Sequence, residues 1–427
     1  MVLGRRKRMQ PVRKPATPRE SQRAPSQAFS GLEQAAPTEK PAGKDVPLEA
    51  IRGVAAISVV SWHSMLGFFP EKSGEFPRFP DSGAIVGQAW FGLISGAAAI
   101  VLFFVLSGYV LTRRYFDTWD GGIILRGVLK RWPRLAGPVL VVIMASWALF
   151  ALHGYNYVAA AEITKSPWLA SFANASDKPF TPGFFDALNQ GVFATFFRGE
   201  AYYDSSLWTM RYEFGGSFIA FGAALALGLF RGASKYLAAA ALGILVIFLN
   251  FNSYVYTPFA VGVGLAYFLP KADAGTTWPA LAAFGAVALA IYLFGFSGKS
   301  VGAYAIFPNS LGGAATNFHI IASLLLISAV EHGPRGLRSA LSGRVSAFLG
   351  ALSFPIYLVH VLVLCSAGSA ALLWANASGW SAEDARGLAI AVTISLSALA
   401  ALPLVMFNER WVGVVNKIVG QVVATRP

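Results

Sequence analysis

Charge is scarce in this chain. Asp, Glu, Lys and Arg make up 13% of its 427 residues, about half the roughly 25% of an ordinary soluble domain. A soluble globule of this size would need a charged shell that is not there. Cysteine is nearly absent: Cys365 stands alone, which excludes an intrachain disulfide. The five histidines show no H-x-x-x-H or H-E-x-x-H spacing, so no metal site is expected. There is no G-x-S-x-G nucleophile elbow, no dinucleotide fingerprint and no P-loop. The segment GGIILRG lacks the Lys-Ser/Thr that a phosphate loop needs. No apolar stretch with a cleavage site follows the basic start, so a signal peptide is not expected.

Hydrophobic residues are what the chain has, at 55%, in blocks near 20 residues, the length that spans a bilayer. Spans are expected at 48–68, 88–111, 135–153, 207–230, 236–251, 254–270, 277–296, 313–330, 345–372 and 387–407. The fold class is therefore all-α, a polytopic membrane protein of about ten helices. Residues 1–46 form a basic, proline-rich tail expected to be disordered, 47–411 the membrane domain and 412–427 a C-terminal tail. Ten spans put both termini on one side. That side holds 26 Lys/Arg and 10 Asp/Glu, the other 8 and 11. By the positive-inside rule both termini are cytoplasmic. This sorting explains the net charge of +13 as membrane topology and anionic-lipid contact, without nucleic acid. Two long interspan segments differ in kind: 112–134 is basic and cytoplasmic, 154–206 aromatic and outside.

Ionisable groups inside apolar spans point to function. Arg52 and His63 are eleven residues apart, about 16 Å and three turns of helix, so they share a face at different depths. Imidazole takes a hydroxyl proton near neutrality, which makes His63 a candidate general base. Arg131 and Arg134 stand at the mouth of the third span with Pro133 and Pro138. Guanidinium forks match phosphate oxygens, though an inside-positive flank explains the same residues. In SSLWTMRYEFGG, Trp208, Arg211 and Glu213 enter an apolar span. Glu213 either orients His63, pairs with Arg211 or binds acceptor hydroxyls. Trp208 is either an interface anchor or a sugar-stacking ring. Ser107, beside Gly108, is read as packing or pocket lining. Tyr357 and His360 are three apart and share a helix face, lining a cavity or forming a core pair.

Together these strings resemble the membrane-bound acyltransferase family 3, over about residues 47–411. Its opening Arg-Gly pair and later His are matched by Arg52, Gly53 and His63. Phe-Phe-x-x-Ser-Gly is matched by Phe103, Phe104, Ser107 and Gly108, and the arginine-rich third span by Arg131, Arg134 and Pro138. Leu207, Trp208 and Glu213 match Leu-Trp-x-x-x-x-Glu. Ser353, Tyr357, Leu358 and His360 match the late element, with Phe354 in place of a Tyr. Two departures stand out. Gly215 and Gly216 replace an aromatic pair near Glu213, and Trp411 follows Glu409 and Arg410 where the family has proline.

The resemblance implies an O-acyltransferase of the bacterial cytoplasmic membrane without an added extracytoplasmic domain. The implied donor is acyl-CoA, usually acetyl-CoA, with Arg52, Arg131 and Arg134 at its nucleotide. The acceptor is a hydroxyl of an extracytoplasmic glycan, glycolipid or small molecule. His63 is implied as base with Glu213 supporting it; Trp208, Arg211, Tyr357, His360 and Ser107 are implied at the substrate. Direct transfer and an acyl-histidine relay are both open. A secondary transporter of a polar or anionic solute is the alternative, and a partner in polysaccharide assembly a third reading.

Overall fold

The computed structural model describes residues 45–76, 84–173, 180–232, 234–269 and 277–424. The basic tail lies outside these residues except for its last two. Among the described residues every regular element is helical. Ten helices build the bundle: α1 Val46–Phe68, α2 Gly96–Thr118, α3 Gly121–Ala151, α4 Trp208–Gly228, α5 Lys235–Asn252, α6 Thr257–Phe268, α7 Ala280–Phe294, α8 Ala315–His332, α9 Arg344–Ala377 and α10 Ala382–Ala424. Seven are long and apolar enough to cross a membrane: α1, α2, α3, α5, α8 (counted with its leading turn from Asn309), α9 and α10. The exceptions have clear causes. α4 carries Arg211 and Glu213. The apolar helices at Tyr254–Phe268 and Ala280–Phe294 fall in the 10–17-residue class, at about 22 Å short of the roughly 30 Å hydrocarbon layer.

Two boundaries differ from the sequence reading. The basic stretch 112–134 is not a loop. α2 runs on to Thr118, Trp119 turns the chain with a positive φ of 58°, and Asp120 caps α3 by accepting from the Gly122 N–H at 2.8 Å. Arg126, Lys130, Arg131 and Arg134 therefore ride on α3, and Pro133 and Pro138 lie inside it. At the other end, α10 does not stop near residue 407. With no proline after Arg410 to break it, it continues through 412–424. Trp411 takes the place of that proline. Its indole donates to the Pro133 carbonyl at 2.7 Å and lies against Gly137, tying α10 to α3.

Backbone contacts fix the relative directions. Gly53 meets the backbone of Leu349 near the start of α1 and α9, and His63 meets His360 further along both, so these two helices are parallel. Ser107 pairs with Glu213 while Tyr115 meets Gly228, which makes α2 parallel to α4. Gly108 packs on the Phe259 backbone, and Arg113 reaches the carbonyls of Ala266 and Leu269, so α6 runs with them. α3 opposes α4, since Arg131 faces Glu213 and Gly127 faces Phe221. The α1/α9 crossing is the closest to the histidines. Gly53 lies on Leu349 and Gly350 on Glu49, so neither position has room for a Cβ.

Gly53→Ala is expected to lower stability by about 1–3 kcal/mol through overpacking, read as a fall in thermal midpoint in detergent. Gly413→Ala, with open space around it, is expected to leave the midpoint unchanged.

Candidate active site

The two histidines meet across the α1/α9 crossing. His63 Nδ1 lies 2.7 Å from His360 Nε2, and the rings are nearly coplanar, 9° apart. His360 is fully buried, and its Nδ1 lies 2.7 Å from the Tyr357 carbonyl. A carbonyl only accepts, so His360 Nδ1 carries a proton. In the neutral ring Nε2 is then the acceptor. His63 must donate from Nδ1, which leaves its Nε2 with a lone pair. One backbone carbonyl thereby sets the tautomers of both rings. His63 is half-buried. Trp168, on the short helix Pro167–Ala170, stacks on its face with centroids 4.8 Å apart. That outer segment is held down by Ser166 Oγ, which donates to the Leu66 carbonyl at 2.6 Å.

Tyr357 is held on the opposite side. Its hydroxyl donates to the Ser206 carbonyl at 2.8 Å and lies 2.7 Å from Thr209 Oγ1, which also reaches that carbonyl at 3.2 Å. Ser206 belongs to a 3-10 turn, Ser205–Leu207, opened by Asp204. The Asp204 carboxyl is fully buried. Burial pushes it up to about 7, against the pull of two hydrogen bonds from Ser206.

A second polar layer lies toward the Arg52 end. Arg131 is ion-paired to Glu213, and Ser107 Oγ donates to the same carboxylate oxygen at 2.8 Å. Glu213 is one helical turn, about 6 Å, from Thr209, so this layer lies below the tyrosine clamp. Arg52 pairs with Glu49 at 3.1 Å. Arg134 stands among Arg131, Arg52, Glu49 and Glu213. It is exposed, and no described residue gives it a hydrogen bond or ion pair. Protein charges surround a guanidinium whose donors are available, the arrangement that receives a phosphate.

The expected site residues thus sort into groups. His63 and His360 form a pair; Arg131, Glu213 and Ser107 form another, with Arg134 and Arg52 beside it. Glu213 does not touch His63: its partners are Arg131 and Ser107, so the orienting role passes to His360. The Tyr357 hydroxyl, implied at the substrate, is buried and bonded on both sides. Trp208 and Arg211 are exposed and project from the side of α4 away from Thr209 and Glu213, as the 100° step per residue requires. Trp208 packs edge-on to Tyr212 instead. Of the Ser-Gly pair, Gly108 serves packing and Ser107 the polar layer. Trp168 and Asp204 were not picked out from the sequence. Only the aromatic character of 154–206 pointed toward Trp168.

A cavity of about 460 Å³ lies elsewhere. Val142, Leu149, Leu362, Pro403 and Phe407 are among its lining residues, between α3, α9 and α10. Its one polar side chain, Ser366, is bonded to the Leu362 carbonyl. Nothing there can bind phosphate or move a proton.

Among known proteins, residues 46–405 match the model of a family described as an acyltransferase domain (acyltransferase 3). No curated protein and no solved structure matches.

Arg131→Ala would strand Glu213 in the interior and is expected to cost about 3–5 kcal/mol. Arg134→Ala should cost little, and thermal midpoints in detergent compare the two. Asp204 gives a pH signature. Its folded carboxyl keeps its proton to higher pH than the unfolded one, so its contribution is full below the ordinary carboxylate range and is lost as pH rises toward 7. The stability of Asp204→Asn relative to wild type should therefore rise between pH 4.5 and 7, by roughly 1.4 kcal/mol per unit at most. A flat difference in thermal midpoint would show that Asp204 ionises normally.

Proposed function

The chain belongs to this acyltransferase family, and from that membership and the histidine pair we propose that it transfers an acyl group from acyl-CoA to a hydroxyl on the far side of the membrane. Acetyl-CoA is the expected donor. The reading takes ten crossings with both termini in the bacterial cytoplasm, which the opposed directions of α3 and α4 support, so that the basic end of the bundle would face the donor. The acceptor is a glycan, glycolipid or small-molecule hydroxyl arriving on the Trp168 side, as in polysaccharide O-acetylation. The observation that carries the proposal is the Nε2 lone pair of His63, left open because Nδ1 is held by His360.

The donor's phosphates rest on Arg134, with Arg52 and the Arg131–Glu213 pair beside it, and its flexible arm extends toward His63. The depth from Arg52 to His63, about 16 Å, suits a long extended arm better than a compact ligand. His63 Nε2 takes the proton of the acceptor hydroxyl as the oxygen attacks the thioester carbonyl carbon. The tetrahedral adduct then collapses, the carbon–sulfur bond breaks, and the thiolate recovers the proton from Nε2. His360 stays neutral and accepts from Nδ1 throughout, so the ring keeps one orientation for both proton transfers.

Protein in lipid nanodiscs, given acetyl-CoA and cell-envelope glycan, should release CoA thiol and form an acetyl ester detectable by mass. His63→Ala should lower kcat by about 10²-fold or more. Arg134→Ala should raise KM for the donor about tenfold with kcat within about twofold. Solute uptake without thioester consumption would overturn the proposal in favour of transport.

A further inference from the structure

We propose that Asp204 is a positioning residue for His63, acting through Ser206, Tyr357 and His360; this rests on the reading of His63 as the base. Asp204 is neither in the bundle helices nor in contact with either imidazole. It sits in the connection between α3 and α4, wholly buried. Four links join it to the base. Asp204 Oδ1 accepts from the Ser206 N–H at 2.8 Å and the Ser206 hydroxyl at 2.7 Å. This holds the turn so that the Ser206 carbonyl receives the Tyr357 hydroxyl at 2.8 Å. The Tyr357 carbonyl receives His360 Nδ1, and His360 Nε2 receives His63 Nδ1, both at 2.7 Å. In every link the donor and acceptor are fixed by chemistry, so displacement at one end is felt at the other.

The preceding residue is anchored as firmly. The Tyr203 N–H donates to Gln190 Oε1 at 3.2 Å, and its carbonyl accepts from Ser146 Oγ at 2.5 Å. Asp204 therefore joins the outer connection to the histidines. A plain turn cap does not need a buried acid. Ser or Asn caps such a turn without placing a second oxygen, Oδ2, in the interior with no hydrogen-bond partner. What Asp204 adds is one buried oxygen, Oδ1, that receives both Ser206 donors at once.

The test is a double-mutant cycle with a direct view of the rings. In ¹⁵N-histidine-labelled wild type in nanodiscs, solid-state NMR should show His63 Nε2 unprotonated and Nδ1 protonated. Asp204→Ala should mix the two tautomers of His63 and lower kcat about tenfold, with KM for the donor within about twofold. Tyr357→Phe, which cuts the chain of bonds at its middle, should do the same. The double variant should be no worse than the worse single one, because both act through one path. Asp204→Asn, which keeps Oδ1, should retain the wild-type tautomer and most activity. If Asp204→Ala does not fold, Tyr357→Phe and Asp204→Asn decide alone. Multiplied losses in the double variant, a shifted donor KM, or an unchanged His63 tautomer in Asp204→Ala or Tyr357→Phe would overturn the proposal. Absence of acyl transfer by wild type would instead remove the enzyme reading, and the tautomer measurement would stand without it.

Discussion

The proposed chemistry depends on a hydrogen bond between two imidazoles, and a backbone carbonyl governs that bond. An imidazole inside a membrane protein has two tautomers and no bulk water to choose between them. The Tyr357 carbonyl makes the choice for His360, and His360 makes it for His63. The two helices that carry them run parallel and touch through glycine at Gly53 and Gly350. The sequence pair Arg52-Gly53 thus has two functions in adjacent positions. The arginine supplies charge at the mouth, and the glycine lets α1 approach α9 closely enough for the rings to meet.

The second constraint is the cost of charge in an apolar interior. Glu213 is tolerable because Arg131 and Ser107 satisfy it. That leaves Arg134 as the cation of the layer without a protein partner among the described residues, and so the natural place for an anionic ligand. The polar groups form two layers joined by the Tyr357–Thr209–Ser206 clamp. A long ligand with phosphate at one end and a reactive carbon at the other fits that separation.

Much of this was legible in the sequence. The apolar blocks placed a helix at each of ten positions, and the eleven-residue spacing put Arg52 and His63 on one face. The errors came where local signals compete. Basic residues and prolines at 126–138 look like a loop and a helix start, yet the Asp120 cap begins α3 earlier and both prolines are tolerated inside it. The sequence leaves Glu213 open to orienting His63, pairing with Arg211 or binding acceptor hydroxyls; an ion pair with Arg131, on another helix, takes it up instead. His63 and His360 are separated by 297 residues, and no periodicity relates positions so far apart. Asp204 was hidden in a polar-aromatic connection, where an aspartate before Ser-Ser reads as an ordinary turn.

On the proposed mechanism a thioester entering from the Arg134 side comes to rest against His63 Nε2. The most direct measurement is a cryo-EM structure in nanodiscs with a non-hydrolysable acetyl-CoA analogue. Phosphate density is expected at Arg134 and the carbonyl carbon within about 5 Å of His63 Nε2, close enough for a hydroxyl to bridge them. An analogue bound with its carbonyl in the apolar cavity by Leu362 and Phe407, or remote from His63 altogether, would contradict it.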